Sequence, residues 1–354
     1  MKKLINKVDD VVEEQLKGMR LAHPELQYNA EPRYLMREST SDKVALISGG
    51  GSGHEPLHAG FIGKGMLTAA CPGEIFTSPT PDQMYECGKA INSKAGTLFF
   101  IKNYTGDILN FETAVELLHM DGIPVGTVLI DDDVAVKDSL YTAGRRGVAA
   151  TVLVEKIVGA AAEQGYSLKQ CEQLGRRVNN AARSFGVALS ACVVPAAGKP
   201  SFVLEDNIVE FGVGIHGEPG IERREYKDAD SLIEQMFAEI KDCPDYSRAL
   251  REWDREKGEW VDTEIVSAPF SAGDEYIVLV NGFGGTPESE LYGAFGKLHE
   301  CCEKADFKIA RTLVGNYCTA INMEGLSITF LKADKEILDL WDAPVNAPSL
   351  RWGC

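Results

Sequence analysis

The sequence predicts an α/β protein of two α/β domains whose sheets are mainly parallel or mixed. Three observations carry this. Apolar, β-like runs alternate with helical patterns along the chain, the order that builds βαβ units. A length of 354 residues with 44% apolar content favours two cores over one. Each half also contains one histidine in a glycine-rich stretch, first Ile47 to Pro56 (ISGGGSGHEP), then Phe211 to Pro219 (FGVGIHGEP).

Leu4, Val8, Val11, Val12, Leu16 and Met19 recur at helical spacing between charges, so Leu4 to Leu21 reads as an amphipathic helix. Strand-like runs follow at Val44 to Ser48, Thr97 to Lys102 and Val125 to Ile130. A helix over Asn110 to Met120 is closed by Gly122-Ile123-Pro124. Helical stretches at Val148 to Glu163 and Leu168 to Ser184 end the first domain, residues 1–183. The second, residues 184–354, opens with β-like runs at Val187 to Val194 and Glu210 to Gly214. Further runs follow at Tyr276 to Asn281, Ile309 to Val314 and Ser327 to Leu331, with helical patterns at Ser231 to Lys241 and Glu288 to Lys304. Asp242 to Asp274 is polar and reads as an irregular excursion.

Thirty-six basic against 53 acidic residues give a net charge of −17, which opposes nucleic acid or an anionic membrane as partner. Acidic residues follow Lys2 and Lys3 where the apolar core of a secretory signal would lie, and no run is long enough to span a bilayer. The nine cysteines are odd in number and form no CxxC pair. They read as reduced thiols of a cytoplasmic protein.

His54-Glu55-Pro56-Leu57-His58 formally matches HExxH, a zinc pattern that needs both histidines on one helix face. Gly51-Ser52-Gly53 before it and Pro56 within it leave His54 in a loop and His58 facing a helix that starts near Glu55, so no metal site is expected. The glycines fit neither GxxxxGK[ST] nor GxGxxG, which argues against a nucleotide site. They can instead present backbone N–H groups to a small polar ligand. Thr97 to Asp107 carries a strand into polar residues, where open α/β sheets bind ligands. That makes Asp107 a candidate base and Lys102 a candidate donor, with a helix-capping role for Asp107 as the alternative.

Asp131-Asp132-Asp133 is either a divalent-ion site or a solvated turn. Arg145-Arg146 and Arg223-Arg224 are candidate phosphate contacts or plain exposed pairs. The glycines around His216 offer little bulk to pack against, and an imidazole there can add to a carbonyl.

Taken together, ISGGGSGHEP, CPGEIFTSPTPD (Cys71 to Asp82), IKNYTGDILNFE (Ile101 to Glu112), IDDDVAVKDSLYTAGRRGV (Ile130 to Val148), VPAAGKPSF (Val194 to Phe202), FGVGIHGEPGIERR (Phe211 to Arg224) and LWDAP (Leu340 to Pro344) resemble the dihydroxyacetone kinase family. The likeness is to the substrate-binding subunit of its phosphoenolpyruvate-dependent bacterial branch. It implies that His216 forms a hemiaminal with the ketone of dihydroxyacetone, that His54 and Asp107 are acid/base residues, and that Gly51, Ser52, Gly53 and Lys102 contact substrate oxygens. It implies no cofactor on this chain: ADP or ATP with Mg belongs to a separate donor subunit, recharged by a phosphotransferase-system phosphoprotein. That fits a chain ending soon after LWDAP. A homodimer is also implied, with the site near the domain interface. The rival reading is a non-catalytic paralogue that binds dihydroxyacetone and signals to a transcription regulator.

Overall fold

The computed structural model describes residues 2–38, 42–137, 144–267 and 269–354. Residues 138–143, inside the Ile130 to Val148 segment, lie outside that description. Two six-stranded sheets organise the chain.

The first half runs α1 (Val11–Ala22), β1 (Leu26–Asn29), β2 (Tyr34–Arg37), β3 (Ala45–Ser52), β4 (Ala69–Ile75), α2 (Pro81–Ile91), β5 (Thr97–Lys102), α3 (Thr105–Met120), β6 (Val125–Ile130), α4 (Ala150–Glu163) and α5 (Leu168–Asn180). Its sheet has the order β1-β2-β4-β3-β5-β6, with β3 to β6 parallel and the β1–β2 hairpin antiparallel at one edge. Every residue of β3 and β5 is buried, as a parallel strand covered on both faces requires. Alternate side chains then serve different cores. Ile47, Phe99 and Ile101 meet Met84 and Cys87 of α2 and Phe111 and Leu118 of α3, whereas Leu46, Leu98 and Phe100 share a core with α4.

The second half contains β7 (Ala182–Ala188), β8 (Ile208–Phe211), β9 (Glu222–Glu225), α6 (Ala229–Lys241), β10 (Tyr246–Asp254), β11 (Glu259–Ser267), β12 (Glu275–Gly282), α7 (Glu288–Ala305), β13 (Lys308–Gly315), β14 (Gly325–Lys332), α8 (Lys335–Asp342), β15 (Val345–Ala347) and β16 (Leu350–Trp352). Its sheet, β13-β12-β14-β7-β8-β9, is antiparallel except for β12–β13. One face packs on α6 and α7 through Phe185, Val278, Val280, Ile328 and Phe330; Ile277, Leu279 and Leu331 on the other join the core of the first half. Helix α4, buried from Ala150 to Ala162 and apolar there except for Thr151, Glu155 and Lys156, contacts strands of both sheets.

Several elements differ from the sequence expectations. The first helix starts at Val11 rather than Leu4, and α3 at Thr105 rather than Asn110. Strand β3 continues through the glycines to Ser52, and α5 stops at Asn180 because Ala182-Arg183-Ser184 already belongs to β7. Asp242 to Asp274 is not irregular: β10 and β11 form a nine-pair antiparallel ribbon against β6 and α3. Its charges alternate with the inward-facing Arg248, Leu250 and Trp253, which hides a strand under a polar composition.

Candidate active site

The parallel strands of the first sheet end at a common edge, and the loops leaving them build one wall of a cleft. Gly51 comes from β3, Phe76 and Ser78 follow β4, and Tyr104 to Asp107 lead from β5 into α3. His216, between β8 and β9, supplies the other wall; together they line a cavity of about 550 Å³.

His54 lies one layer behind, fully buried. Its ring stacks on Phe76 at 4.9 Å and meets the edge of the His216 ring at 4.6 Å. Nδ1 is 2.7 Å from the Thr319 carbonyl, which only accepts, so Nδ1 carries the proton and Nε2 has the lone pair. Nε2 is buried with no partner among the described residues. The backbones of these two segments also bond each other, Thr319 N–H to His54 O at 3.2 Å and Ile321 N–H to Gly53 O at 2.8 Å. Burial, then the charges of His216 and Lys102, hold the His54 pKa well below its ordinary value.

The His216 ring is packed against aromatics despite its glycine neighbours, with Tyr104 at 4.5 Å and Phe76 at 5.3 Å. Its backbone N–H donates to Glu218 Oε2 at 2.9 Å. Burial, helped by the cationic Lys102 and Arg146, pushes its pKa down to about 3, so the ring is neutral at physiological pH. A neutral imidazole is the form that adds to a carbonyl.

Asp107 is buried in the first turn of α3. Burial raises its carboxyl, against the pull of Lys102 and of the Ser78 hydroxyl. Tyr104 holds the N-cap position, so Asp107 does not cap this helix. Lys102 closes β5 beneath the wall, its Nζ 3.1 Å from His58 Nε2. A Cβ on Gly50 would fall on that ammonium, so glycine makes its room. Gly53 adopts φ +102° and its N–H is taken by the Glu55 carboxylate at 3.0 Å. Ser52 Oγ donates to the Gly73 carbonyl at 2.7 Å, which ties the β3 loop to β4.

The three adjacent aspartates are neither a metal site nor a solvated turn. All are buried: Asp131 pairs with Arg248, Asp132 accepts the N–H groups of Val148 and Ala150 at 2.8 and 2.9 Å, and Asp133 pairs with Arg146 at 2.7 Å. No group of three or more His, Cys, Asp or Glu among the described residues is placed to hold a metal ion. Arg145 lies over the Tyr246 ring, Arg223 pairs with Glu210, and Arg224 pairs with Glu222 and Glu239, so these arginines are in structural use. The helix expected from Glu55 is only a single 3-10 turn, Ala59–Phe61; His58 lies buried before it and faces Glu155 of α4 instead. Phe76, Ser78, Tyr104 and Thr319 had no role in the sequence reading, although the first three stand in motifs quoted there.

Fold and cleft define a two-sheet α/β protein with a neutral histidine, a second histidine with an open acceptor and a carboxylate around one cavity. The Dak1 domain model matches residues 17–349, and the chain belongs to that family. It is 58% identical, over all of both chains, to "PEP-dependent dihydroxyacetone kinase, dihydroxyacetone-binding subunit DhaK" of Escherichia coli (strain K12). Among solved structures it is similar to "Dihydroxyacetone kinase operon co-activator Dha-DhaQ", with TM-score 0.84 and 33% identity, covering 95% of this chain and 97% of that one. It is also similar to the dihydroxyacetone kinase of C. freundii in complex with AMP-PNP and Mg2+, with TM-score 0.84 and 29% identity over 99% of this chain and 61% of that one.

Proposed function

We propose that this chain is the dihydroxyacetone-binding subunit of a phosphoenolpyruvate-dependent dihydroxyacetone kinase, a phosphotransferase with an alcohol group as acceptor. The reading rests on a neutral His216 imidazole beside the bare, buried Nε2 of His54, at a cavity that also holds the Asp107 carboxylate.

In this reading the His216 N–H adds across the ketone. The C–N bond forms as the C=O π bond opens, the ring passes its proton to His54 Nε2, and His54 returns a proton to the new alkoxide, so the hemiaminal forms with no net change in protons. Glycerol has no carbonyl and is excluded. The adduct holds a terminal hydroxyl near Asp107; its oxygen bonds to phosphorus as the bond from phosphorus to the ADP oxygen breaks, and its proton passes to Asp107. Gly51, Ser52, Gly53 and Lys102 are assigned to the substrate oxygens, with Gly51 lining the cavity and the Gly53 N–H reaching them only by leaving the Glu55 carboxylate. The cavity exceeds a triose and leaves space for an approaching donor.

The same reading has the two α/β domains meet near residue 183 with the site between them. ADP or ATP with Mg belongs to a donor subunit, recharged by a phosphotransferase-system phosphoprotein. The protein itself works as a homodimer in the cytoplasm; no helix of the described residues is long and apolar enough to cross a membrane. Likeness to the co-activator structure supports a second reading, a triose-binding regulator. Phosphorylation of dihydroxyacetone with candidate donor subunits, against ATP alone, separates the two.

The decisive test uses dihydroxyacetone labelled at its carbonyl carbon. The unaltered chain is expected to convert the ketone resonance to a tetrahedral one and His216→Ala to leave it unchanged. A tetrahedral resonance in the variant overturns the assignment. Because the ring stays neutral above a pKa of about 3, adduct formation is expected to remain level from neutrality down to about pH 4.

A further inference from the structure

The chemistry above makes no use of His58 or Glu155, yet both are buried beside Lys102. His58 is 5%, Lys102 1% and Glu155 0% exposed. They come from the loop after β3, the end of β5 and the middle of α4, so three separate elements converge. His58 Nε2 lies 3.1 Å from Lys102 Nζ, and Nδ1 lies 2.7 Å from Glu155 Oε1 and 2.9 Å from Ser48 Oγ. An ammonium only donates, so Nε2 accepts and Nδ1 carries the proton, donating it to the Glu155 carboxylate. The chain of bonds runs from cation through neutral imidazole to anion.

Burying these charges is costly unless they compensate each other. Burial pushes the Glu155 carboxyl up to about 8, with Ser48 and Lys102 pulling against it, and the His58 Nδ1 at 2.7 Å supplies the further hydrogen bond that favours its charged form. Among the described residues the Lys102 ammonium has no hydrogen-bonding partner besides His58, and the missing side chain of Gly50 gives that ammonium its space. Its charge acts on His54, His58, Asp107, Glu155, His216 and Cys318.

We propose that His58 and Glu155 are positioning residues that hold the Lys102 ammonium under the substrate, Glu155 as its buried counter-charge and His58 as the bridge. The proposal rests on the reading of the cavity as a site of triose phosphorylation. Lys102 lowers the pKa of Asp107, His54 and His216, so a displaced ammonium lets all three rise and moves the acid limb of activity to higher pH.

The test measures kcat and KM against pH, with the donor subunit, for Glu155→Gln, His58→Leu, His58→Gln, Lys102→Met and Lys102→Met with Glu155→Gln, and observes the adduct with carbonyl-labelled dihydroxyacetone. Glu155→Gln and His58→Leu are expected to form the adduct but lose kcat on the order of 100-fold, the scale of an ångström-sized misplacement, with the acid limb displaced upward. His58→Gln recovers part of the loss, since an amide can accept from Lys102 and donate to Glu155. In the Lys102→Met background, Glu155→Gln has no further effect. Unchanged kcat and pH profile in Glu155→Gln and His58→Leu, or an equal loss with and without Lys102, overturns the proposal. If Glu155→Gln does not fold, the comparison of His58→Gln with His58→Leu decides it: equal activities refute the bridge. Absence of both adduct and transfer in the unaltered chain overturns instead the functional reading beneath it.

Discussion

Arg146 is the largest fully buried charge in the support of His216, and replacing it with methionine isolates what that support is worth. The guanidinium donates to Asp133 Oδ2 at 2.7 Å and to the Gly212 carbonyl at 2.7 Å, and lies 3.5 Å from Glu218 Oε1. Glu218 in turn accepts the His216 backbone N–H. Methionine fills much of the volume but strands the Asp133 carboxylate without its cation, which costs about 3–5 kcal/mol for a buried pair. At about 1–2 °C per kcal/mol for a chain of this length, the melting temperature should fall by roughly 5 °C. The loss carries a pH signature. Burial already raises the folded Asp133 pKa against the pull of Arg146, and removing that cation raises it further. A group with a raised folded pKa favours the folded state at low pH and loses that contribution as pH rises through the folded value. Thermal melts of Arg146→Met against the unaltered chain, at about pH 5.5 and about pH 8, should therefore show a smaller deficit at the lower pH. A deficit below about 1 kcal/mol that is the same at both pH values refutes the claim that this buried cation compensates the carboxylates around it.

Asp107→Asn should keep the adduct, because the carboxyl lies outside the His54–His216 pair, while kcat for phosphoryl transfer falls on the order of 100- to 10,000-fold; full activity removes Asp107 as the base. Burial raises its pKa, so transfer by the unaltered chain should fade on acidification above the ordinary aspartate range, read from a kcat–pH profile. Gly50→Ala drives a methyl into the Lys102 ammonium. It should lower kcat on the order of 100-fold without abolishing folding, as followed by activity and circular dichroism; an unaffected Gly50→Ala shows that the ammonium does not need that space.

The parallel strands β3, β5 and β6 could be read directly because burial on both faces makes them nearly continuous apolar runs. Strand β4, with Pro72, Gly73 and Glu74 in its seven residues, carries no such signal. Arg183 falls within the helical stretch Leu168 to Ser184 of the sequence reading, but it is buried in β7, donating to the Cys243 carbonyl at 2.9 Å and lying over the Phe270 ring. That placement depends on partners about 60 residues or more away. The three aspartates were ambiguous because their partners assemble only in the folded chain: Arg248 pairs with Asp131, Arg146 with Asp133, and the N–H groups of Val148 and Ala150 bind Asp132. His54, Asp107 and His216 stood out through their glycine and strand-end contexts. Glu155 left one signal that went unused: with Lys156 it forms a pair of adjacent charges inside an otherwise apolar helical stretch, VLVEKIVGAAA.

The tethering of the site residues accounts for their unequal tasks. His54 is fixed on both sides of the cleft, by its own strand and by the Thr319 carbonyl and backbone bonds of the opposite half. Its distance to His216 is therefore held by hydrogen bonds that cross between the sheets. Asp107 has no such crossing bond among those described; it is oriented by the first turn of α3 and by Ser78, both in the first half. A small displacement of one sheet against the other thus alters the approach of Asp107 to anything carried on His216 more than it alters the His54–His216 pair. Adduct formation, which needs the pair, should tolerate such displacement better than phosphoryl transfer, which needs Asp107 at hydrogen-bonding distance from a hydroxyl.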